Sequence, residues 1–205
     1  CDAVQLMRWG SIDFQHGFAK HITSLALSGH KLGAPQGVGA LVVRGGLLEP
    51  LIRGGAQQKG RRAGTLPVQA IGALGVAVAQ APIQSAGVSR LRERLERALM
   101  EHFPGSVVHG RGATRIPNTS FVAIAEGEQW IDGEWWTLGL AERGVSVATG
   151  AACASGEDRP SHVLRAMGVD DDLAQASLRF SLGPCTEEVD IERVVSALQG
   201  VRAEG

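Results

Sequence analysis

Residues 28–31 read Ser28-Gly29-His30-Lys31. They follow an apolar run at 22–27 and lead into Leu32-Gly33-Ala34-Pro35-Gln36-Gly37-Val38-Gly39-Ala40. A lysine in a Gly/Pro-rich turn between two apolar runs is poorly placed for plain solvation and well placed for a Schiff base. Imine chemistry needs an amine that can lose its proton, and lysine's pKa falls when its ammonium is desolvated or crowded by other cations. Ser28 and His30 offer hydrogen bonds to a phosphate, and Gly29 lets the backbone approach one closely. The plainer alternative is a strand–turn–strand whose lysine points to water.

Upstream lie Asp2 and Gln5. Pyridoxal 5′-phosphate, an aldehyde cofactor held by lysine, works as an electron sink only while its ring nitrogen stays protonated. An acidic residue beside that nitrogen raises the pyridinium pKa, and a side-chain amide such as Gln5 can bond the phenolate oxygen. The order acid, amide, Ser-x-His-Lys carries more information than any of its members.

Two further stretches lie downstream. Ala148-Thr149-Gly150-Ala151-Ala152-Cys153-Ala154-Ser155-Gly156 frames a cysteine with small residues only. Such a backbone has many accessible conformations and suits a nucleophile that must travel. The alternative is a small buried cysteine at the end of a strand at 145–147. Ser177-Leu178-Arg179-Phe180-Ser181-Leu182-Gly183 sets an arginine among apolar neighbours on a strand. Its planar fork suits a carboxylate, although an isolated strand arginine also serves as a solvated edge or a structural ion pair.

The rest of the chain alternates elements. Residues 22–28 and 38–44 read as buried strands flanking the Lys31 turn. Residues 66–81 read as an Ala/Gly/Val-rich helix with Pro67 in its first turn, apolar enough on every face to be buried. A break at 81–87 marks a boundary. An amphipathic helix from Ser89 to about Phe103 follows, its charge run read as a solvated face opposite Leu91, Leu95, Ala98 and Leu99. Residues 119–125 read as a strand, 134–143 as a helix stopped by Gly144, and 145–147 as a strand into the cysteine loop. Ser161 caps a helix running to about Met167, and 177–182 form another strand. Thr186 caps the last helix, whose Ile191, Val194, Val195 and Leu198 share a side. Trp135 and Trp136 are read as core or interface packing rather than a stacking platform. Strand–helix alternation through both segments indicates an α/β protein.

The ordered set resembles one family: the pyridoxal-phosphate-dependent cysteine desulfurases of the class V aminotransferase group. The resemblance runs from Asp2-Ala3-Val4-Gln5 and Ser28-Gly29-His30-Lys31 through Gly37-Val38-Gly39-Ala40-Leu41 to Gly54-Gly55-Ala56-Gln57-Gln58-Lys59-Gly60-Arg61-Arg62-Ala63-Gly64-Thr65. It continues through Pro117-Asn118-Thr119, the Cys153 loop, Pro160-Ser161-His162-Val163-Leu164 and the Arg179 strand. It implies the C-terminal half of a fold type I pyridoxal-phosphate-dependent transferase. Residues 1–84 would then be the C-terminal part of the large mixed-sheet domain, and 85–205 the small α/β C-terminal domain carrying the cysteine loop.

The same resemblance assigns roles. Lys31 would form the Schiff base and move the Cα proton, Asp2 would pair with the pyridinium, and Gln5 would meet the phenolate oxygen. Ser28 and His30 would bind the phosphate, and Thr65 the phosphate held by the other subunit of a homodimer. Arg179 would hold the substrate carboxylate with Asn118 near it, and Cys153 would attack the sulfur of L-cysteine. Alanine would leave, and the sulfur would pass to an acceptor or scaffold protein for iron–sulfur cluster or thio-cofactor assembly. Two alternatives stay open: another class V reaction, such as selenocysteine lyase or aminotransferase-like chemistry, and a truncated homologue that only dimerises or binds a partner.

The chain also departs from that family. It begins at Cys1, where family members carry a long preceding segment with a phosphate loop and a ring-stacking histidine, so a fragment or a truncated homologue is expected. Gln58 stands where an acidic residue is usual, and Gln36 where lysine is common. At 205 residues the chain is long enough for one large or two small domains. A net charge of −1 and a pI near 6.7 argue against a nucleic-acid footprint. Cys1, Cys153 and Cys185 form no CxxC pair, so neither a disulfide framework nor a zinc site is expected. No stretch reads as a signal peptide or a membrane span, and a cytoplasmic enzyme is expected.

Overall fold

A computed structural model describes residues 1–10, 12–45, 48–81, 85–127, 129–149 and 160–204. The chain divides into two compact units, Cys1–Gln84 and Ser85–Gly205.

The first unit is organised by a hairpin. Strands β1 (Ser24–Ser28) and β2 (Gly39–Val43) pair antiparallel, with Ser28 opposite Gly39. Residues 1–3 run along the other edge of β1, where Asp2 makes a parallel bridge to Ala26. The connection is a helical turn rather than a plain loop: α1 (Gly29–Leu32) stops at Gly33, whose φ of 99° is the left-handed C-cap conformation that glycine adopts without strain. A short distorted turn, α2 (Gln57–Gly60), holds Gln58 and Lys59 at φ 52° and 58°. Helix α3 (Val68–Gln80) starts behind Pro67 and buries Leu74 against Leu32 and Ala34, with Met7, Val38, Ala77 and Val78 packed around them.

Burial in this unit differs from expectation. Leu41 and Val42 of β2 and Val68 and Val76 of α3 are exposed. Two strands and one edge segment are too few to cover both faces of the hairpin, and one small cluster uses only the Leu74 side of α3.

The second unit is a four-stranded antiparallel sheet in the order β3-β4-β8-β7, covered by long helices. Its elements are α4 (Ser85–His102), β3 (Val107–Val108), β4 (Thr119–Ala123), β5 (Ala125–Glu126), β6 (Gln129–Trp130) and α5 (Gly133–Glu142). Then follow β7 (Ala148–Thr149), α6 (His162–Ala166), α7 (Asp171–Gln175), β8 (Ser177–Ser181) and α8 (Glu188–Glu204). Val122, Leu178 and Phe180 of the central strands, Leu95 and Leu99 of α4, Trp136 and Leu140 of α5, and Leu198 of α8 are all buried, and α4 packs on β4, α5 on β8 and α8 on both helices. Trp136 is fully buried, edge-on to Phe103 and to the half-buried Trp135, so Trp136 belongs to the core and Trp135 packs at its edge.

Three local readings change. The strand expected at 145–147 lies at Ala148–Thr149, because Val145 closes helix α5: its N–H donates to Leu140 O (2.9 Å), with Gly144 at φ 74°. Helix α4 starts one turn before Ser89. Thr186 does not cap α8; its hydroxyl accepts from Gly183 N (2.9 Å), and the helix begins at Glu188. Ser161 does cap α6, accepting from Leu164 N (3.4 Å). Among the described residues no helix is long and apolar enough to cross a membrane.

Candidate functional site

The Lys31 turn is built by one close approach. Gly29 N donates to Val38 O (2.9 Å), and a Cβ on Gly29 would sit 2.7 Å from Val38 Cγ1 and 2.8 Å from Val38 O. Glycine is needed here because the Val38 backbone, just before β2, lies against it. The amide expected to approach a phosphate is therefore spent on Val38. On the other side of the turn, Ser28 Oγ and His30 Nδ1 lie 2.9 Å apart. Lys31 is exposed, and its carbonyl accepts weakly from Arg8 Nη1 (3.4 Å). The desolvation expected of this lysine is not found within its own unit.

Asp2 joins the same face. Strand alternation puts Ala26 and Ser28 opposite buried Leu25, and Asp2 is in register with Ala26. Its Oδ1 accepts from Val4 N (2.9 Å), which leaves the second oxygen open, and Gln5 is exposed in the turn that follows. Asp2, Gln5, Ser28, His30 and Lys31 are thus gathered at the β1 end of the first unit. Among the described residues neither Asp2 nor Lys31 has an ion-pair partner. An open acid, an open amine and a hydroxyl–imidazole pair around one strand end form a donor set that fits pyridoxal phosphate.

Thr65 lies in another segment of the first unit. It is exposed in the loop before α3, after a turn closed by Ala63 N donating to Ile52 O (3.0 Å) and strained at Gln58 and Lys59. Among the described residues no side-chain hydrogen bond joins it to Lys31.

In the second unit, β8 carries Arg179 between Phe121 of β4 and Ala148 of β7. Leu178 and Phe180 point into the core, so alternation sends Arg179 out, exposed and without an ion-pair partner among the described residues. Asn118 is buried at the start of β4 and acts as a clasp. Its backbone O accepts from Leu182 N (2.7 Å), its Nδ2 donates to Leu182 O (3.4 Å), and its Oδ1 accepts from Thr119 Oγ1 (3.2 Å). Most of its amide is engaged in holding β4 to the end of β8. Cys153 and its loop lie outside the described residues.

The sequence reading missed a buried polar network beneath this sheet. Glu96, only 4% exposed, accepts from Arg115 Nη1 and Nη2 (2.9 and 3.1 Å) and from Ser120 Oγ (2.7 Å), with Arg92 Nε 3.6 Å away. Burial pushes its carboxyl up, but the Arg115 and Ser120 hydrogen bonds and the charges of Arg115 and Arg92 outweigh this and hold its pKa below the ordinary value. The charge run on α4 is therefore not wholly a solvated face. Val88, Arg92, Leu95, Glu96, Leu99 and Phe103 share one side at spacings of three and four, a signal present in the sequence.

Comparison with known proteins places the chain. The profile described as "Aminotransferase class-V" matches residues 1–194. The chain belongs to the class-V aminotransferase family. Within that family it is 42% identical over 207 aligned positions to a protein named cysteine desulfurase from Gluconacetobacter diazotrophicus, covering 98% of this chain and 50% of that one. Its fold matches the X-ray structure of a NifS-like protein from Rickettsia africae with a TM-score of 0.83 at 28% identity, over 98% of this chain and 52% of that one. It also matches a structure described as SspA in complex with cysteine, with a TM-score of 0.64 at 32% identity over 89% of this chain and 49% of that one. The chain spans about half the length of the curated relatives it matches.

Proposed function

We propose that this chain carries cofactor, substrate and sulfur-transfer residues of a cysteine desulfurase. In that reaction L-cysteine and the Cys153 thiol give L-alanine and a persulfide on Cys153; the C–S bond of the substrate breaks and an S–S bond to Cys153 forms. The observation that carries this reading is the joint presence of Lys31 and Cys153 in a chain 42% identical to a named cysteine desulfurase. A cysteine framed by small residues is what separates sulfur transfer from most other class-V reactions.

Pyridoxal phosphate, when bound, would supply an electron sink for the electron pair released at the substrate Cα. Lys31 would hold the cofactor through its Nζ and would carry the proton taken from the substrate Cα. Asp2 keeps a proton on the ring nitrogen through its open carboxylate oxygen, and Gln5 donates to the phenolate oxygen. Ser28 and His30 are hydrogen-bonded to each other, and the pair would present one side-chain donor to the phosphate, the serine hydroxyl or the His30 Nε2–H according to the tautomer. Arg179 grips the substrate carboxylate with its outward fork, and Asn118 steadies that grip by clasping β4 to β8. Thr65 serves the phosphate of a second subunit, and the exposed apolar side chains of β2 and α3 support burial against a homodimer partner. We further assign the sulfur to an acceptor or scaffold protein for iron–sulfur or thio-cofactor assembly, in the cytoplasm.

Borohydride reduction of the full polypeptide in the presence of pyridoxal phosphate tests the cofactor assignment. The pyridoxyl group is expected on the peptide carrying Lys31; finding it on Lys20 or Lys59 overturns the assignment.

A further inference from the structure

Beneath the sheet of the second unit, the charged residues of α4 and of the segment after β3 enclose a pocket of about 340 Å³, lined by Arg92, Glu93, Glu96, Arg97, Arg111 and Arg115. Four guanidiniums face two carboxylates, an excess of two positive charges. Glu96 is saturated by Arg115 and Ser120. Arg92, 8% exposed, gives Nη1 to Ile116 O (2.9 Å), but its buried Nε has no hydrogen-bond partner. Glu93 is more than half exposed and stands 3.8 Å from Arg92 Nη2.

The remaining two arginines are underused. Arg97 donates only to the backbone O of Glu93 (3.4 Å), and Arg111 only to Met100 Sδ (3.2 Å), a weak acceptor. Among the described residues neither has a carboxylate partner. Guanidinium forks match tetrahedral oxyanions in a bidentate manner. Arg92 and Arg115 are fixed behind them by the fold, so part of the ordering cost is met before a ligand arrives.

We propose that this pocket binds a phosphate dianion, free or as the ester end of a small metabolite, between the forks of Arg97 and Arg111. Two negative charges neutralise the excess, and the pocket leaves room for the rest of an ester. The pocket belongs to the second unit and the Lys31 turn to the first, and the proposal stands whether or not the desulfurase reading holds.

Calorimetric titration of inorganic phosphate into the holoprotein, freed of excess pyridoxal phosphate and held at constant ionic strength with chloride, tests the site. One saturable site is expected. Combined Arg97→Gln and Arg111→Gln should weaken it by about tenfold or more, because charge-assisted hydrogen bonds are lost. Glu93→Gln, which removes one opposing charge, should tighten it severalfold, a gain that misfolding cannot mimic. Arg94→Gln, outside the pocket and paired with Glu188 and Glu192, should bind as the parent does. A parallel titration with glycerol 3-phosphate separates the two sources: tighter binding indicates an ester, and equal or weaker binding the free ion. Absence of a saturable heat, or a heat indifferent to the Arg97/Arg111 and Glu93 changes, overturns the proposal.

Discussion

Replacing Gly29 with alanine puts a methyl group where the Val38 backbone already stands. The new Cβ would lie 2.7 Å from Val38 Cγ1, 2.8 Å from Val38 O and 3.3 Å from Ala34 Cβ. Val38 Cγ1 can rotate away, but a backbone oxygen that accepts the Gly29 N–H at 2.9 Å cannot. Overpacking of this kind costs about 1–3 kcal/mol. Stretching the Gly29–Val38 hydrogen bond adds roughly 0.5–1.5 kcal/mol. The variant should therefore be destabilised by about 1.5–4.5 kcal/mol, with the α1 turn displaced from β2. Urea unfolding of the full polypeptide measures the first effect, and cofactor absorbance per polypeptide the second, since Lys31 and His30 ride on that turn. Gly87→Ala is the matched control: it lies exposed in α4 with open space around its Cβ, and should stabilise by about 0.5–1 kcal/mol. If Gly29→Ala unfolds with its parent and holds cofactor equally well, the close approach is not what shapes the Lys31 site.

Two other outcomes follow from the second unit. Glu96→Ala leaves Arg115 and Arg92 without their buried carboxylate and should cost about 3–5 kcal/mol by denaturant unfolding; a loss under about 1 kcal/mol would mean the network is solvated. His109 Nε2 lies 2.8 Å from Ser177 Oγ, whose hydroxyl donates to Leu173 O (2.6 Å), and burial holds its pKa below 6.5. The folded state resists protonation here, so this contribution is complete above the unfolded value and is lost as pH falls from there toward the folded one. His109→Gln should remove that component of the pH slope; an unchanged slope between the parent and the variant would refute it.

The sequence exposed the elements more fully than their surroundings. The hairpin around Lys31, the Pro67 start of α3 and the Ser161 cap are local chemistry, legible from residue type and spacing. Val145 misled because its apolar side chain serves the end of α5 rather than a strand, and only the pairing of Ala148 with Arg179 reveals where β7 runs. Arg92 and Glu96 misled because charge outweighed spacing in the reading of α4. They lie on the same stripe as Leu95 and Leu99, and their burial depends on Arg115 and Ser120, far along the chain. Gly29 was legible as a glycine needing close approach, but not that its neighbour is Val38 rather than a ligand. Asn118 looks like a ligand contact in sequence, and its role as a strand clasp appears only once Leu182 lies opposite it.

Mass mapping of the full polypeptide after a single turnover with L-cysteine, in the presence of pyridoxal phosphate and without acceptor or reductant, tests the desulfurase reading most directly. The account predicts one added sulfur atom on the peptide carrying Cys153, alanine in equal amount, and no added sulfur on the peptides carrying Cys1 or Cys185. Alanine formed with no sulfur on Cys153, or sulfur spread evenly over all three cysteines, would contradict it.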